Sequence, residues 1–323
     1  MKKIILKTIV LFITVAVIFA AEKPSKLNKA VMDKKVKTVK ALIEKGADVN
    51  ETYGNIYPLE RACDDLELTK ILIEAGAQGK EKAFRSAAWE TYDDVVKYYC
   101  ENNLIEPNDY ASSFENYLTE EDKTTEEKCQ RIKAITMGKL NSPLLLTYVN
   151  PTDYDFITDY FTINLNEKDK KFNDSIFHRI AKSPDKNSVS LIEYLLAKGV
   201  DINSLNTNEQ TALFYAITVF GPSINWNDPI QENEAEAKIN FVGDMPYYSN
   251  PRGLQQAQVA VVMSLLQNKI NINQQDKAGW SVLHYACAAY PKGLRELLIS
   301  NGADENLKTL MGRTPFDILS MRK

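Results

Sequence analysis

The chain has 323 residues, enough for two globular domains or one repeat array. Its hydrophobic fraction of 44% is that of a folded protein, which excludes general disorder. A formal net charge of −4 gives no electrostatic basis for binding nucleic acid.

The first twenty residues read as a secretory signal peptide. Lys2, Lys3 and Lys7 form a positive region, Thr8 to Phe19 an apolar run, and Ala20-Ala21 a small-residue cleavage site. A membrane-spanning helix needs roughly 20 apolar residues, and the run after Lys7 is shorter. No cysteine follows it to carry a lipid. Residues 1–20 are therefore expected to be removed from an exported bacterial protein, periplasmic or secreted, with no membrane association afterwards. Loss of three lysines leaves the mature chain, 21–323, more acidic.

Helical pairs then follow in series. The first begins near Leu27; its second helix, with Val36, Val39, Leu42 and Ile43 at helical spacing, closes on Gly46-Ala47-Asp48-Val49-Asn50. The second runs from Tyr57-Pro58-Leu59-Glu60-Arg61-Ala62 to Gly76-Ala77. A third, Ala83–Ala88 with Val95–Cys100, ends on Asn103, whose short amide tolerates the left-handed backbone. A fourth spans about Asp109 to Gly138 around the acidic loop Glu120-Glu121-Asp122. The fifth opens at Ser142-Pro143 and closes around Asn164. The sixth opens at Ser175-Ile176-Phe177-His178 and ends on Gly199-Val200-Asp201-Ile202-Asn203. The seventh opens at Thr211-Ala212-Leu213-Phe214-Tyr215-Ala216, but its closing half, to Lys269-Ile270-Asn271-Ile272-Asn273, is delayed by an insertion of about 219–253. Lys269 must accept a left-handed backbone or end its helix differently.

The eighth pair is the most regular. Ser281-Val282-Leu283-His284-Tyr285-Ala286 is a close variant of the T-P-L-H-x-A opening of an ankyrin repeat, and Gly302-Ala303-Asp304 is the matching close. Lys269 and Gly302 stand 33 positions apart, the ankyrin period. A ninth pair starts at Thr314-Pro315 and stops. On these motifs the chain resembles the ankyrin-repeat family from about Leu27 to Arg322. The resemblance implies an all-α ankyrin-repeat solenoid of about eight to nine helix-turn-helix units, irregular in the middle between about 80 and 170.

Nothing in the sequence assembles a catalytic centre. His178 and His284 both hold the fourth position of the opening motif, where the resemblance implies an imidazole hydrogen-bonded between neighbouring repeats. No G-x-S-x-G, phosphate-binding loop, H-E-x-x-H or dinucleotide glycine pattern occurs. No enzymatic activity, cofactor or metal site is expected. Cys63 and Cys287 fall at one slot of widely separated repeats, beyond the about 7 Å a disulfide allows, and read as small core residues. Cys100 and Cys129 fall in neighbouring repeats but out of step.

Two regions are candidates for binding a protein. The insertion joins Trp226, Tyr247 and Tyr248 to an acidic run, Glu232 to Glu236; aromatics of this kind serve either as interface anchors or as a cover over apolar helices. In ankyrin proteins the tips before each opening motif, with the first helices, line a concave face. Here the tips supply Tyr53, Asn55, Tyr57, Asn206, Asn208, Gln210, Gln275, Lys277 and Trp280. Trp280 either lies exposed or packs on a neighbour. The resemblance thus implies a protein–protein interaction module, monomeric when free, with an unidentified protein partner. An inhibitor or immunity-type protein that neutralises an enzyme or toxin is the narrower alternative.

Overall fold

The computed structural model describes residues 23–218, 251–289 and 292–321. The leader and nearly all of the expected insertion lie outside them. The described chain is helical; its one β feature is an isolated bridge between Tyr53 and Ile56. No helix among these residues is long and apolar enough to cross a membrane. Among the described residues the fold is all-α, with helix-turn-helix pairs in the order the motifs imply. It divides into two compact units, one up to Tyr117 together with Gln130–Lys139, the other Leu118–Cys129 together with Leu140 onward.

The first unit is built from α1 (Lys26–Met32), α2 (Val36–Glu44), α3 (Pro58–Arg61), α4 (Leu66–Glu74), α5 (Lys80–Trp89), α6 (Asp93–Glu101) and a 3-10 segment, Pro107–Phe114. Each start has a local cause. Ser25 caps α1 by accepting from the Asn28 amide. Pro58 sits at the first turn of α3, where its missing N–H costs nothing, and Glu60 reaches back to the Tyr57 amide. Asp65 caps α4 through the Leu68 amide. Leu27, Val39, Leu59, Leu68, Leu72 and Val95 are buried between the pairs, each contributing about 1.5–3 kcal/mol of apolar transfer. An aromatic cluster takes over toward the middle. The Phe84 ring lies 5.6 Å from that of Tyr99 and 6.2 Å from that of Phe114, and Tyr117 follows at 5.6 Å from Phe114. Asp93 fastens the cluster by accepting from Tyr117 Oη at 2.9 Å and from Arg131 Nε at 2.8 Å.

The second unit includes the 3-10 segment Pro143–Tyr148, α9 (Tyr154–Phe161), α10 (Ile176–Lys182), α11 (Ser188–Ala197), α12 (Ala212–Thr218), α13 (Pro251–Gln267), α14 (Val282–Ala289), α15 (Lys292–Ser300) and α16 (Pro315–Ser320). The numbers α7 (Glu115–Leu118) and α8 (Thr125–Ile135) belong to the fourth pair, within which the two units divide. Ile180, Leu195, Leu213, Val262, Leu265, Leu283, Leu294 and Leu298 form the second unit's core. Helix α13 starts at Pro251, near the expected end of the insertion at about 253. The Gln258 amide of α13, fully buried, donates to the Ala216 carbonyl of α12 and ties the interrupted pair together.

The ends of the second helices are alike in backbone whatever their sequence. Ala47 donates to Leu42, Leu104 to Tyr99, Ile163 to Thr158, Ile270 to Leu265 and Ala303 to Leu298, each closing the last turn at 2.9–3.1 Å. The residue before the donor is left-handed in every case. Asn103 adopts φ 52°, and Lys269 accepts φ 59° rather than ending its helix otherwise. Two expected closers are displaced. Met137 (φ 55°) takes the position in front of Gly138, and Thr162 (φ 53°) takes it instead of Asn164. The reason is registry: Gly138 N reaches Lys133 and Ile163 N reaches Thr158, so the buried side chains of the helix, and not the best turn former, choose where it stops.

Candidate protein interface

The tips of the second unit are four versions of one turn. Asp169, Asn206, Asp276 and Thr309 begin them. Asn206 Oδ1 accepts from the amides of Asn208 and Gln210, and Asp276 Oδ1 from those of Ala278 and Trp280, all at 2.8–3.1 Å. The Asp169 carboxylate likewise takes the Lys171, Phe172 and Asp174 amides. These side chains do inside the tip what a β-ladder would do between strands. The left-handed position falls on Asn173, Glu209, Gly279 and Gly312. Gly279 is required twice over, by φ 77° and because a Cβ there would stand 2.7 Å from Leu310 N.

Each tip is joined to the next by a single backbone bond of constant direction. Thr207 N donates to Phe172 O at 2.8 Å, Lys277 N to Asn208 O at 3.1 Å, and Leu310 N to Ala278 O at 3.1 Å. The backbone is consumed in this ladder while the side chains of Thr207, Asn208, Lys277, Ala278, Leu310 and Met311 stay exposed, Leu310 at 80% and Met311 at 79%.

Behind the tips, three side-chain devices lock repeat to repeat. His178 Nδ1 accepts from the Ser175 amide at 3.1 Å, which leaves the proton on Nε2, and Nε2–H donates to Gln210 O at 2.9 Å. His284 repeats this with the Ser281 amide and Arg313 O. Burial pushes both imidazoles below the ordinary histidine pKa. The expected structural role of both histidines is thus what the geometry displays. Asn28 does the same work in the first repeat, its Nδ2 donating to Glu51 O at 2.7 Å. The sequence reading missed it, although Ser25-Lys26-Leu27-Asn28-Lys29-Ala30 carries the opening motif with Asn for His. The closing motif holds a third device, also missed. Asn50 Oδ1 accepts from Gln78 N, Asn203 Oδ1 from Asn271 N, and Asn273 Oδ1 from Asp304 N, at 2.6–2.8 Å.

The expected contact residues fall into distinct situations. Asn208 and Lys277 are exposed and joined through their backbones. Gln210 is half-buried; its carbonyl holds His178 and its amide approaches Asp276 Oδ2 at 3.5 Å. Asn206 is buried within its own turn. Gln275 donates to Gly279 O and Lys308 O. Trp280 is half-buried, its ring 5.2 Å from Tyr285 and 5.9 Å from His284 of the helix it precedes. In the first unit, Gly54 and Asn55 (both φ 60°) form the turn of the Tyr53–Ile56 bridge, Asn55 exposed at its apex. Tyr53 and Tyr57 are half-buried beneath cations, Arg61 at 5.1 Å and Lys82 at 6.0 Å from the ring centres. Trp226, Tyr247 and Tyr248 lie outside the described residues.

Nucleophiles and metal ligands are not gathered anywhere described. Cys63, Cys100 and Cys129 are thiols in no disulfide. Burial pushes Cys63 up to about 11 and Cys100 and Cys129 up to about 12, so none supplies thiolate near neutrality. Cys63 is half-buried, less enclosed than the core residue expected there. Among the described residues no group of three or more His, Cys, Asp or Glu side chains is placed to hold a metal ion.

Known proteins match the part of the chain where these devices are most regular. The ankyrin-repeat model of many copies matches residues 177–218 and 254–289, and the single ankyrin-repeat model matches 278–310. The human 2-5A-dependent ribonuclease is similar, 36% identical over 66 residues, which are 20% of this chain and 9% of that protein. The chain therefore matches less than a tenth of that relative's length. The opening and closing motifs, the histidine bridges and these matches agree: residues 177–218 and 254–310 are ankyrin repeats.

Proposed function

We propose that this chain is an exported protein-binding module, gripping a protein partner on the concave face formed by its tips and first helices, with help from the 219–253 insertion. Ankyrin repeats are protein–protein interaction modules and are generally non-catalytic, which supports the reading at its coarsest level. The observation that carries the finer reading is the tip ladder. A row of turns whose backbone groups are already paired holds its side chains in place before any partner arrives, so little ordering entropy is lost on binding. The basic and apolar leader supports export with cleavage after Ala20. An inhibitor or immunity role is the narrower form of the same proposal, and its acidic run, Glu232 to Glu236, lies outside the described residues.

The test is affinity capture of envelope proteins on the mature chain from Ala21, read by mass spectrometry. The control carries Asn208→Ala, Lys277→Ala, Leu310→Ser and Met311→Ser and must keep the wild-type melting temperature. Enrichment of a protein by the wild type and not by the control supports the reading. Equal enrichment by both moves binding away from the tips, and enrichment by neither counts against a protein partner.

A further inference from the structure

The first unit carries a second arrangement on its inner helices, which the tip ladder does not use. Lys82, Arg85 and Trp89 follow one another at i, i+3 and i+7 along α5, so they share one face of that helix, and all three are exposed. The Arg85 guanidinium stands 5.6 Å from the Tyr110 ring centre. On the preceding inner helix, α3, Arg61 stands over Tyr53 in the same way. Helix α5 packs against α3 on one side and against the 3-10 segment bearing Tyr110 on the other. Cations seated on tyrosines therefore run across three adjoining elements, with Trp89, 44% exposed, one turn beyond Arg85 on α5.

Charge pairing sets two of these cations apart. Lys34, Lys40, Lys97 and Arg131 each face a carboxylate within 3.6 Å, and Lys82 faces Glu60 at 3.7 Å. Arg61 and Arg85 face none among the described residues. Arg61 donates one N–H to Tyr53 O at 2.6 Å, and its Nε is buried with no hydrogen-bond partner. Among the described residues the Arg85 guanidinium has no hydrogen bond or ion pair, only its place on the ring. A ring beneath a guanidinium orients it and leaves its N–H donors for a planar acceptor, for which a carboxylate is the matching shape. Arg179 and Arg313 also face no carboxylate among the described residues, but of these four arginines only Arg61 and Arg85 are seated on tyrosine rings, and they lie on neighbouring helices. Two such cations, with Glu60 and Glu81 close by, suit separate carboxylates better than the continuous charge of a nucleic-acid backbone.

We propose that this strip seats an acidic segment of a partner protein, carboxylates on Arg61 and Arg85 and an apolar side chain against Trp89. The inference rests on the protein-binding reading and adds the chemistry of the partner and its place on the first unit.

The full mature chain is panned with a random phage-displayed library of about twelve-residue peptides. Recovered peptides are then measured by fluorescence anisotropy against the wild type, Arg85→Glu, Arg85→Lys, Arg61→Lys and Trp89→Ala, each checked for an unchanged melting temperature. The expected result is enrichment of Asp and Glu, a loss of affinity of about tenfold or more in Arg85→Glu, and a smaller loss in Arg85→Lys and Arg61→Lys. Affinity should also fall as salt rises through the physiological range. Peptides without acidic enrichment, an affinity indifferent to Arg85→Glu, or tighter binding of a serine-phosphorylated peptide or an oligouridylate than of the acidic peptide would each overturn it. Recovery of no peptide also overturns it, while the protein-binding reading is judged separately by the capture experiment and its tip variant.

Discussion

His284 Nε2–H donates to the carbonyl of Arg313 at 3.1 Å while its Nδ1 accepts the Ser281 amide, so one neutral imidazole closes its own helix start and holds the next tip. His178 does this between Ser175 and Gln210. A protonated Nδ1 cannot accept, and burial holds both rings below the ordinary pKa. The unfolded chain, with histidines near about 6.5, therefore takes up protons first as the pH falls. The stability these rings supply is complete above about pH 6.5 and is lost below it as the pH drops toward their folded values. Replacing both by Asn, the residue that bridges at position 28, should shrink the fall in urea midpoint between about pH 7.5 and pH 5. An unchanged pH dependence would show that the imidazoles are not titrating groups of the fold.

Asn273→Ala removes the acceptor of the Asp304 amide and the donor to Gly302 O, and should cost about 1–2 kcal/mol in denaturant unfolding. Asn208→Ala, whose tip bond runs through its carbonyl, should stay within about 0.5 kcal/mol of wild type. Equal effects would mean that the closing asparagines do not bind repeat to repeat.

The left-handed positions separate strain from space. Gly312→Ala meets no atom within 4 Å and should cost about 1–2 kcal/mol for backbone alone. Gly279→Ala meets the same strain and also the Leu310 amide at 2.7 Å, so it should cost more and loosen the bond between the last two tips. In the opposite direction, Lys269→Gly (φ 59°) and Glu209→Gly (φ 62°) should each raise stability by up to about 1 kcal/mol. Thermal melts of the four variants order these effects.

Native alkylation tests the thiols. Cys100 and Cys129, buried and pushed up to about 12, should resist iodoacetamide at neutral pH, and Cys63, at about 11, should react slowly. In denaturant all three should label at the rate of free cysteine. Recovery of a Cys100–Cys129 disulfide peptide from unreduced protein would contradict the packing of both side chains as core thiols.

The sequence by itself determined the helical pairs, their order and the places where most of them end. Apolar spacing and turn chemistry are local properties, legible wherever Gly46, Gly76, Gly199 or Gly302 follows an amphipathic stretch. It also marked the tips, and the role of His178 and His284 followed from their place in the motif. Only tertiary structure decided the rest. Met137 and Thr162 end their helices ahead of the better turn formers, because burial of neighbouring helices sets where each chain must reverse. Asn28 and Asn273 become bridges because stacking brings a carbonyl or an amide of the next repeat within reach. Arg61 and Arg85 come onto neighbouring helices only because α3 and α5 lie side by side, and a linear sequence records no distance between successive repeats.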